Sequence, residues 1–175
     1  LTFPPQLLSR ADDPDVQNVM ASESKLFEVR TTGRAGQKSQ LRERVAHYAV
    51  LAQIHVALGN AGPARAAVDS VIRDSLQLGY SHGLAEGAVV EADVFLLESD
   101  PVRGVESARR GIEMAQRLDL LVVEGKAHDA LSRCAEATGD HETAVKALRR
   151  HMQVTREILR LRSENRVRIE RWRES

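Results

Sequence analysis

A short stretch near the beginning of the chain, Gly-Arg-Ala-Gly-Gln-Lys-Ser over residues 33–39, contains residue types that bind phosphate. A phosphate-binding loop needs four residues between its glycines and a glycine directly before the lysine, so that backbone amides surround the phosphate. Here two residues separate Gly33 from Gly36, Gln37 precedes Lys38, and no hydrophobic strand comes before them. We therefore interpret the stretch as a basic linker and not as a nucleotide site.

Histidine and cysteine, the usual zinc ligands, are scattered along the chain. No histidine lies four residues from another, the spacing that puts two ligands on one helix face, and Cys134 has no cysteine partner. No spacing of serine, histidine and aspartate indicates a catalytic triad. We predict a non-catalytic protein without metal or cofactor, in which Cys134 is a small buried hydrophobic residue. The histidines are predicted to be packed or partly solvated helix residues: His47, His55, His82, His128, His141 and His151.

The composition indicates one all-α domain. Of 175 residues, 42% are apolar and 29% charged, which is too hydrophobic for a disordered chain and enough for a sizeable core. Only 3% are aromatic, so the core must consist mainly of Ala, Val, Leu and Ile. Such side chains suit closely packed helices, whereas β-sandwiches ordinarily alternate β-branched and aromatic residues.

The formal net charge is zero, but the charges are segregated along the chain. Residues 81–100 contain five acids and no Lys or Arg, whereas residues 146–175 contain ten bases and four acids. Three explanations are open for this asymmetry: it steers a partner, it pairs one copy with another, or the helix faces are solvated and merely differ in charge. No apolar run approaches the roughly 18 residues of a membrane span, and no signal-peptide pattern opens the chain. Together with the single cysteine, this predicts a cytoplasmic protein that does not contact a membrane.

Apolar periodicity and helix breakers divide the chain into three parts. Residues 1–40 are predicted to be an N-terminal extension, with a helix to about Arg30 and a flexible linker over 31–40. Residues 41–158 are predicted to form three helical hairpins, and 159–175 to extend the last helix. Asp100 and Asp140 are predicted N-caps, Pro101 a first helical residue, and Gly79 a terminator. The predicted helices span 41–58, 63–78, 82–98, 101–118, 121–138 and 141–172.

The three hairpins align with one another at a spacing of forty residues. The turn residues Gly59, Ser99 and Gly139 fall in step. The same register aligns further small or apolar positions: Ala52, Ala92 and Ser132; Ala64, Gly104 and Ala144; Val68, Ala108 and Leu148; Ile72, Ile112 and Met152. A fixed period of this length is typical of a solenoid, in which each unit buries its apolar face against its neighbours.

These aligned positions resemble tetratricopeptide repeats over roughly residues 41–160. The third repeat is most similar to the motif, through Leu131, Ser132, Ala135, Gly139, Asp140, Ala144 and Leu148. The second departs from it, with Glu91 at a usually apolar position and with Gly104 and Gly111 in its second helix. The forty-residue length resembles the longer repeats of bacterial regulatory proteins. The resemblance implies a TPR-like helical-hairpin solenoid that binds a protein or peptide partner.

In this family the first helix of each repeat lines a concave groove, so the resemblance implies a set of groove residues. Its mixture of apolar and charged side chains suits an extended peptide or a partner helix. The other interpretation is that three repeats make too shallow a groove and that these residues are merely exposed. The groove set is Ala46, Ala49, Gln53, Val56, Glu86, Val89, Asp93, Leu96, Lys126, Asp129, Arg133 and Glu136.

The last predicted helix outruns its counterparts, because no Gly or Pro follows Ile158. Ile158, Leu161, Asn165 and Trp172 fall near a heptad seam, and an Asn on such a seam sets the register of a coiled coil. We predict that these four residues, the pairing set, pack against another copy in a homodimer, against the N-terminal segment or against a further domain. The segments 147–151, 156–159 and 164–169 resemble the junction between an N-terminal repeat domain and an output domain in bacterial signalling proteins such as diguanylate cyclases.

Three hypotheses for function follow. The first is a non-catalytic regulatory domain that binds a protein, a peptide or a second copy, and relays this through the long helix to an output domain beyond Ser175. The second is a freestanding TPR adaptor or peptide receptor, in which the long helix caps the solenoid. The third is nucleic-acid binding through the terminal helix, whose arginines spread round the helix and have only Trp172 as a stacking partner. We rank nucleic acid last.

Overall fold

The protein is built from helices. The computed structural model describes the backbone of residues 34–174 and the side chains of residues 38–170, 172 and 173. Within this part of the chain there are six helices and no strand, which confirms the predicted all-α class. They are α1 (Arg34–Ala57), α2 (Ala61–Leu78), α3 (Ser81–Leu97), α4 (Pro101–Arg117), α5 (Leu121–Ala137) and α6 (His141–Glu174).

Neighbouring helices in the chain are neighbours in space. Each helix packs on the next, and α3 also packs on α1 and on α5. The odd-numbered helices therefore form a continuous layer. Among the described helices, α2, α4 and α6 make no comparable packing with one another. Residues on α1, α3 and α5 can consequently contribute to one surface.

Every connection between the described helices uses the same turn. In the turn after α3, the Asp100 N–H donates to the Phe95 carbonyl at 2.8 Å and the Ser99 N–H to the Leu96 carbonyl at 3.1 Å. This pair of bonds is a Schellman motif, which requires a residue with positive φ. The positive-φ residues are twenty positions apart along the chain: Gly59, Gly79, Ser99, Asp119 and Gly139.

The predicted capping residues are confirmed. The Asp100 carboxylate accepts a hydrogen bond from the Arg103 N–H at 3.2 Å, and Pro101 is the first residue of α4. The Asp140 carboxylate accepts one from the Thr143 N–H at 3.0 Å. Gly79 ends α2 in the left-handed conformation, with φ of 62°. These caps satisfy backbone groups that the helix itself leaves unpaired.

Two predicted boundaries are wrong. The helix α1 begins at Arg34, so the flexible linker predicted over residues 31–40 is helical from that residue onward. The reason is composition, since Ala, Gln, Lys and Arg favour helix and one glycine costs only about 1 kcal/mol. The helix α2 begins at Ala61 instead of Pro63, because proline is tolerated in a first turn that lacks backbone partners. The helix predicted up to about Arg30 lies outside the described residues.

The core consists mainly of alanine and valine, as the low aromatic content predicts. Buried residues shared by α3, α4 and α5 form the largest cluster. The helices approach closely at Gly104, where an added Cβ would lie 2.7 Å from the Cys134 sulfur and 3.2 Å from the Ala92 carbonyl oxygen. Cys134 is fully buried, and burial raises the pKa of its thiol to about 11. Its predicted role as a small buried hydrophobic residue is confirmed.

Candidate interaction surfaces

The groove set lies on α1, α3 and α5, the three helices of the continuous layer. Its members differ in how far they reach solvent. Ala46, Gln53, Lys126 and Glu136 are exposed, whereas Val56, Glu86, Asp93, Leu96, Asp129 and Arg133 are half-buried and Ala49 and Val89 are buried. The layer therefore presents a mixed polar and apolar surface with charges of both signs.

Two predicted groove residues do not reach this surface. Ala49 and Val89 are each only 5% exposed. Ala49 packs in a cluster with Val45 and Val71, and Val89 contributes to the core shared by α3, α4 and α5. The glycine at 111 lets helices α3 and α4 approach, so that a Cβ there would lie 3.0 Å from the Val89 side chain. Both residues hold the helices together and cannot contact a partner.

Three groove residues form an ion-paired cluster between α3 and α5. The Arg133 guanidinium lies 2.8 Å from an Asp93 carboxylate oxygen and 3.1 Å from an Asp129 carboxylate oxygen. Burial raises the pKa of the Asp93 carboxyl above its ordinary value, and the charge of Arg133 offsets this only in part. Burial alone would lower the pKa of Arg133, but the two aspartates outweigh it and raise the pKa. The sequence placed these residues on one surface but gave no sign that they pair.

A second charged cluster, absent from the sequence predictions, surrounds Glu91. Its carboxylate accepts hydrogen bonds from the Ser107 hydroxyl and from the Arg110 guanidinium, the latter at 2.7 Å, and lies 3.6 Å from Arg65. Arg65 also binds Glu98 through two hydrogen bonds, of 3.0 and 2.6 Å. This cluster joins α2, α3 and α4. It gives the charge of Glu91 partners on both neighbouring helices.

Further charged and polar side chains meet around Glu124, which is only 6% exposed. Its carboxylate accepts hydrogen bonds from Arg150 at 3.0 Å and from Gln116 at 3.2 Å, and lies 3.7 Å from a ring nitrogen of His128. Burial would raise the pKa of the Glu124 carboxyl, but the hydrogen bonds and the charge of Arg150 outweigh it and lower the pKa. Burial lowers the pKa of His128. The cluster fastens α5 to α4 and α6.

Chemistry at this cluster has no further structural support in the described residues. No group of three or more histidine, cysteine, aspartate or glutamate side chains in that part of the chain is arranged to hold a metal ion. The protein's accessible charged and apolar surfaces are further candidates for function.

The pairing set lies on α6, which has 34 residues where α3, α4 and α5 have 17 each. Ile158 is half-buried, whereas Leu161 is 40% and Trp172 81% exposed, and Asn165 is exposed as well. Every residue from Leu159 to Glu170 is exposed. We call this exposed part of α6 the overhang. It presents apolar side chains to solvent over several turns.

Comparisons with known proteins leave these surfaces as the basis for any functional argument. No protein-family model, curated protein or solved structure matches the chain. Among the described helices, none combines the length and apolar character needed to cross a bilayer.

Proposed function

We propose that this chain is a non-catalytic TPR-like regulatory domain of a bacterial signalling protein, which binds a protein or peptide, or a second copy of itself. Its odd-numbered helices carry the partner surface, and α6 relays binding by pairing with α6 of a second copy. In this scheme two output domains that follow the paired helices would be held in a fixed relation. The proposal includes the forty-residue solenoid repeats and a cytoplasmic location.

The overhang of α6 is the observation that supports this proposal most directly. A helix in water gains most of its stability from packing an apolar face, and an isolated stretch of this length is marginal. Leu161, Val167, Ile169 and Trp172 are nevertheless each at least 40% exposed. Pairing with a second helix would bury the seam through Leu161 and Trp172, with Asn165 setting the register.

The layer of odd-numbered helices supports the partner-binding part of the proposal. Gln53 on α1 and Lys126 and Glu136 on α5 are exposed, and the apolar residues Val56 on α1 and Leu96 on α3 are half-buried. A peptide or helix could place apolar side chains against Val56 and Leu96 and pair its charges with Lys126 and Glu136. The Asp93–Arg133 ion pair holds α3 and α5 at a fixed separation, which pre-organises the surface and lowers the entropic cost of binding.

Light scattering on the full chain tests the relay. We expect the wild-type chain to be a dimer and Leu161→Lys to be a monomer, because a lysine on the seam would be desolvated on pairing. Val102→Lys is the matched control: Val102 is 61% exposed on α4, away from the overhang, and the variant should remain a dimer. A wild-type monomer would contradict the pairing and favour the freestanding adaptor.

A further inference from the structure

The face that α6 turns away from the other described helices is apolar, and none of those helices covers it. Val145, Leu148, Met152 and Leu159 are 47%, 45%, 50% and 58% exposed. They follow one another at three-, four- and seven-residue steps, so they share one side of the helix. We call these four residues the α6 stripe. None of these four residues belongs to the pairing set. The groove set lies on other helices.

In the two preceding even-numbered helices, the residues that correspond to Leu148 and Thr155 are covered by a helix. Forty and eighty residues before Leu148 are Ala108 and Val68, and both are fully buried. Likewise Ala115 and Ser75, the counterparts of exposed Thr155, are fully buried. In α2 this face meets α3, where Cβ atoms added to Gly83 and Gly87 would contact Ser75 and Ile72. In α4 it meets α5, since a Cβ on Gly104 would lie 2.7 Å from Cys134.

The side of the helix that carries Leu148 thus accepts a helix twice within this chain, and on α6 no other described helix covers it. At its centre the α6 stripe has Leu148 where α4 has Ala108. Leaving such apolar side chains in water forgoes the free energy that their burial would contribute. The shape and spacing of this surface therefore suit a helix with its own apolar side chains at three- and four-residue steps.

The charges beside the α6 stripe indicate what kind of helix fits. Arg149 and Arg156 lie four residues after Val145 and Met152, so they border the stripe. Both are exposed, and neither forms an ion pair with another residue of the described chain. A second α6 would bring the same arginines against each other in an antiparallel pair, which is repulsive. A helix with acidic residues beside its apolar face would pair with them.

We propose that the α6 stripe is a docking site for an amphipathic helix of another protein, with acidic residues flanking its apolar face. Arg149 and Arg156 select the acidic flanks, and Leu148 and Met152 supply the central apolar contact. The inference goes beyond the proposed function, because the stripe shares no residue with the pairing set and can be filled whether or not the pairing set joins two copies. The light-scattering result and the binding result can therefore fail separately.

Fluorescence anisotropy on the full chain tests the site with two labelled synthetic peptides. Both are amphipathic helices of about three heptads with leucine at the apolar positions, one with glutamate and the other with lysine on the flanks. We expect the glutamate peptide to bind at least about tenfold more tightly than the lysine peptide, with affinity that falls at high salt.

Substitutions locate the binding. Leu148→Glu should lower the affinity for the glutamate peptide at least about tenfold. Arg149→Glu combined with Arg156→Glu should lower it as much. Leu76→Glu is the matched control, because Leu76 is 63% exposed on α2, and affinity should be unchanged. All these side chains are exposed, and circular dichroism verifies that each variant keeps its helical content.

Several outcomes would overturn the proposal. They are an absence of binding, equal binding of the two peptides, or equal loss in Leu148→Glu and Leu76→Glu. A wild-type dimer that Leu148→Glu dissociates would make a second copy the occupant. If the wild-type chain binds phosphatidylserine vesicles and Leu148→Glu abolishes that binding, the occupant of the stripe is a membrane. Slower thiol labelling of Met152→Cys than of Leu76→Cys would show that this chain covers the stripe itself, since buried Cys134 is common to both.

Discussion

Arg133 on α5 pairs with Asp93 on α3 across 2.8 Å, although the two residues lie forty positions apart in the chain. The pair uses charges that the surface of these two helices would otherwise offer to a partner. It also fixes the separation of the two helices that carry the surface, so its removal should affect stability before it affects recognition.

Replacing Arg133 by methionine should lower the free energy of unfolding by about 1 kcal/mol at neutral pH. The variant keeps the apolar stem but leaves the half-buried Asp93 carboxylate without its main positive neighbour. Arg133 is 42% exposed, which keeps the effect below that of a fully buried pair. Urea denaturation followed by circular dichroism measures it.

The sign of the pH dependence separates this explanation from simple loss of packing. The pKa of Asp93 is already raised by burial and should rise further without Arg133. The folded variant therefore binds a proton more readily than its unfolded chain, and its deficit should shrink as pH falls from 7 to about 4. Two results would contradict the role of the unpaired carboxylate. One is a loss of unfolding free energy that stays constant between pH 7 and about 4. The other is a loss that persists when Arg133→Met is combined with Asp93→Asn.

Gly104→Ala should destabilise the protein by about 1–3 kcal/mol, although alanine is the better helix former. The added methyl would lie 2.7 Å from the Cys134 sulfur, so α4 and α5 would have to separate. Gly62→Ala is the control: it is also in a helix, but nothing lies within 4 Å of its added Cβ. Thermal unfolding should show lower stability only for Gly104→Ala, and Cys134→Ala should restore part of it. Equal behaviour of the two glycines would refute the close contact.

Most helix ends could be predicted because they depend on local chemistry. Asp100 and Asp140 cap the helices that follow them, and Gly79 ends α2, with no information needed from distant residues. The burial of Val89 and the pairing of Asp93 with Arg133 were beyond such reasoning. They depend on the distance and angle between helices that the chain brings together only after folding. The same limit hid the cluster around Glu91, whose partners lie on two other helices.

Ser99→Gly should stabilise the protein by about 0.5 kcal/mol. Ser99 has φ of 60° in a turn where Gly59 and Gly139 occupy the corresponding positions. Glycine adopts this conformation without a Cβ clash, and part of the gain is offset by its greater freedom in the unfolded chain. Ser99→Ala removes the hydroxyl but keeps the strain, so it should give no gain. Chemical denaturation distinguishes the two, and a gain in Ser99→Ala as large as in Ser99→Gly would exclude relief of strain as the cause.

The stability of the folded chain should fall as pH decreases from 7.5 to 5.5, partly because of His128. Burial lowers the pKa of His128, and the neighbouring Glu124 charge opposes this only in part. Below the unfolded value of about 6.5 the unfolded chain therefore binds more protons than the folded one, which favours unfolding. Glu124 stays ionised over this interval, because its own pKa is lowered from 4.5. His128→Gln should reduce the pH slope of the unfolding free energy. The slope is the deciding measurement, since a buried substitution can lower stability equally at both pH values, and an unaltered slope in His128→Gln would show that another group titrates.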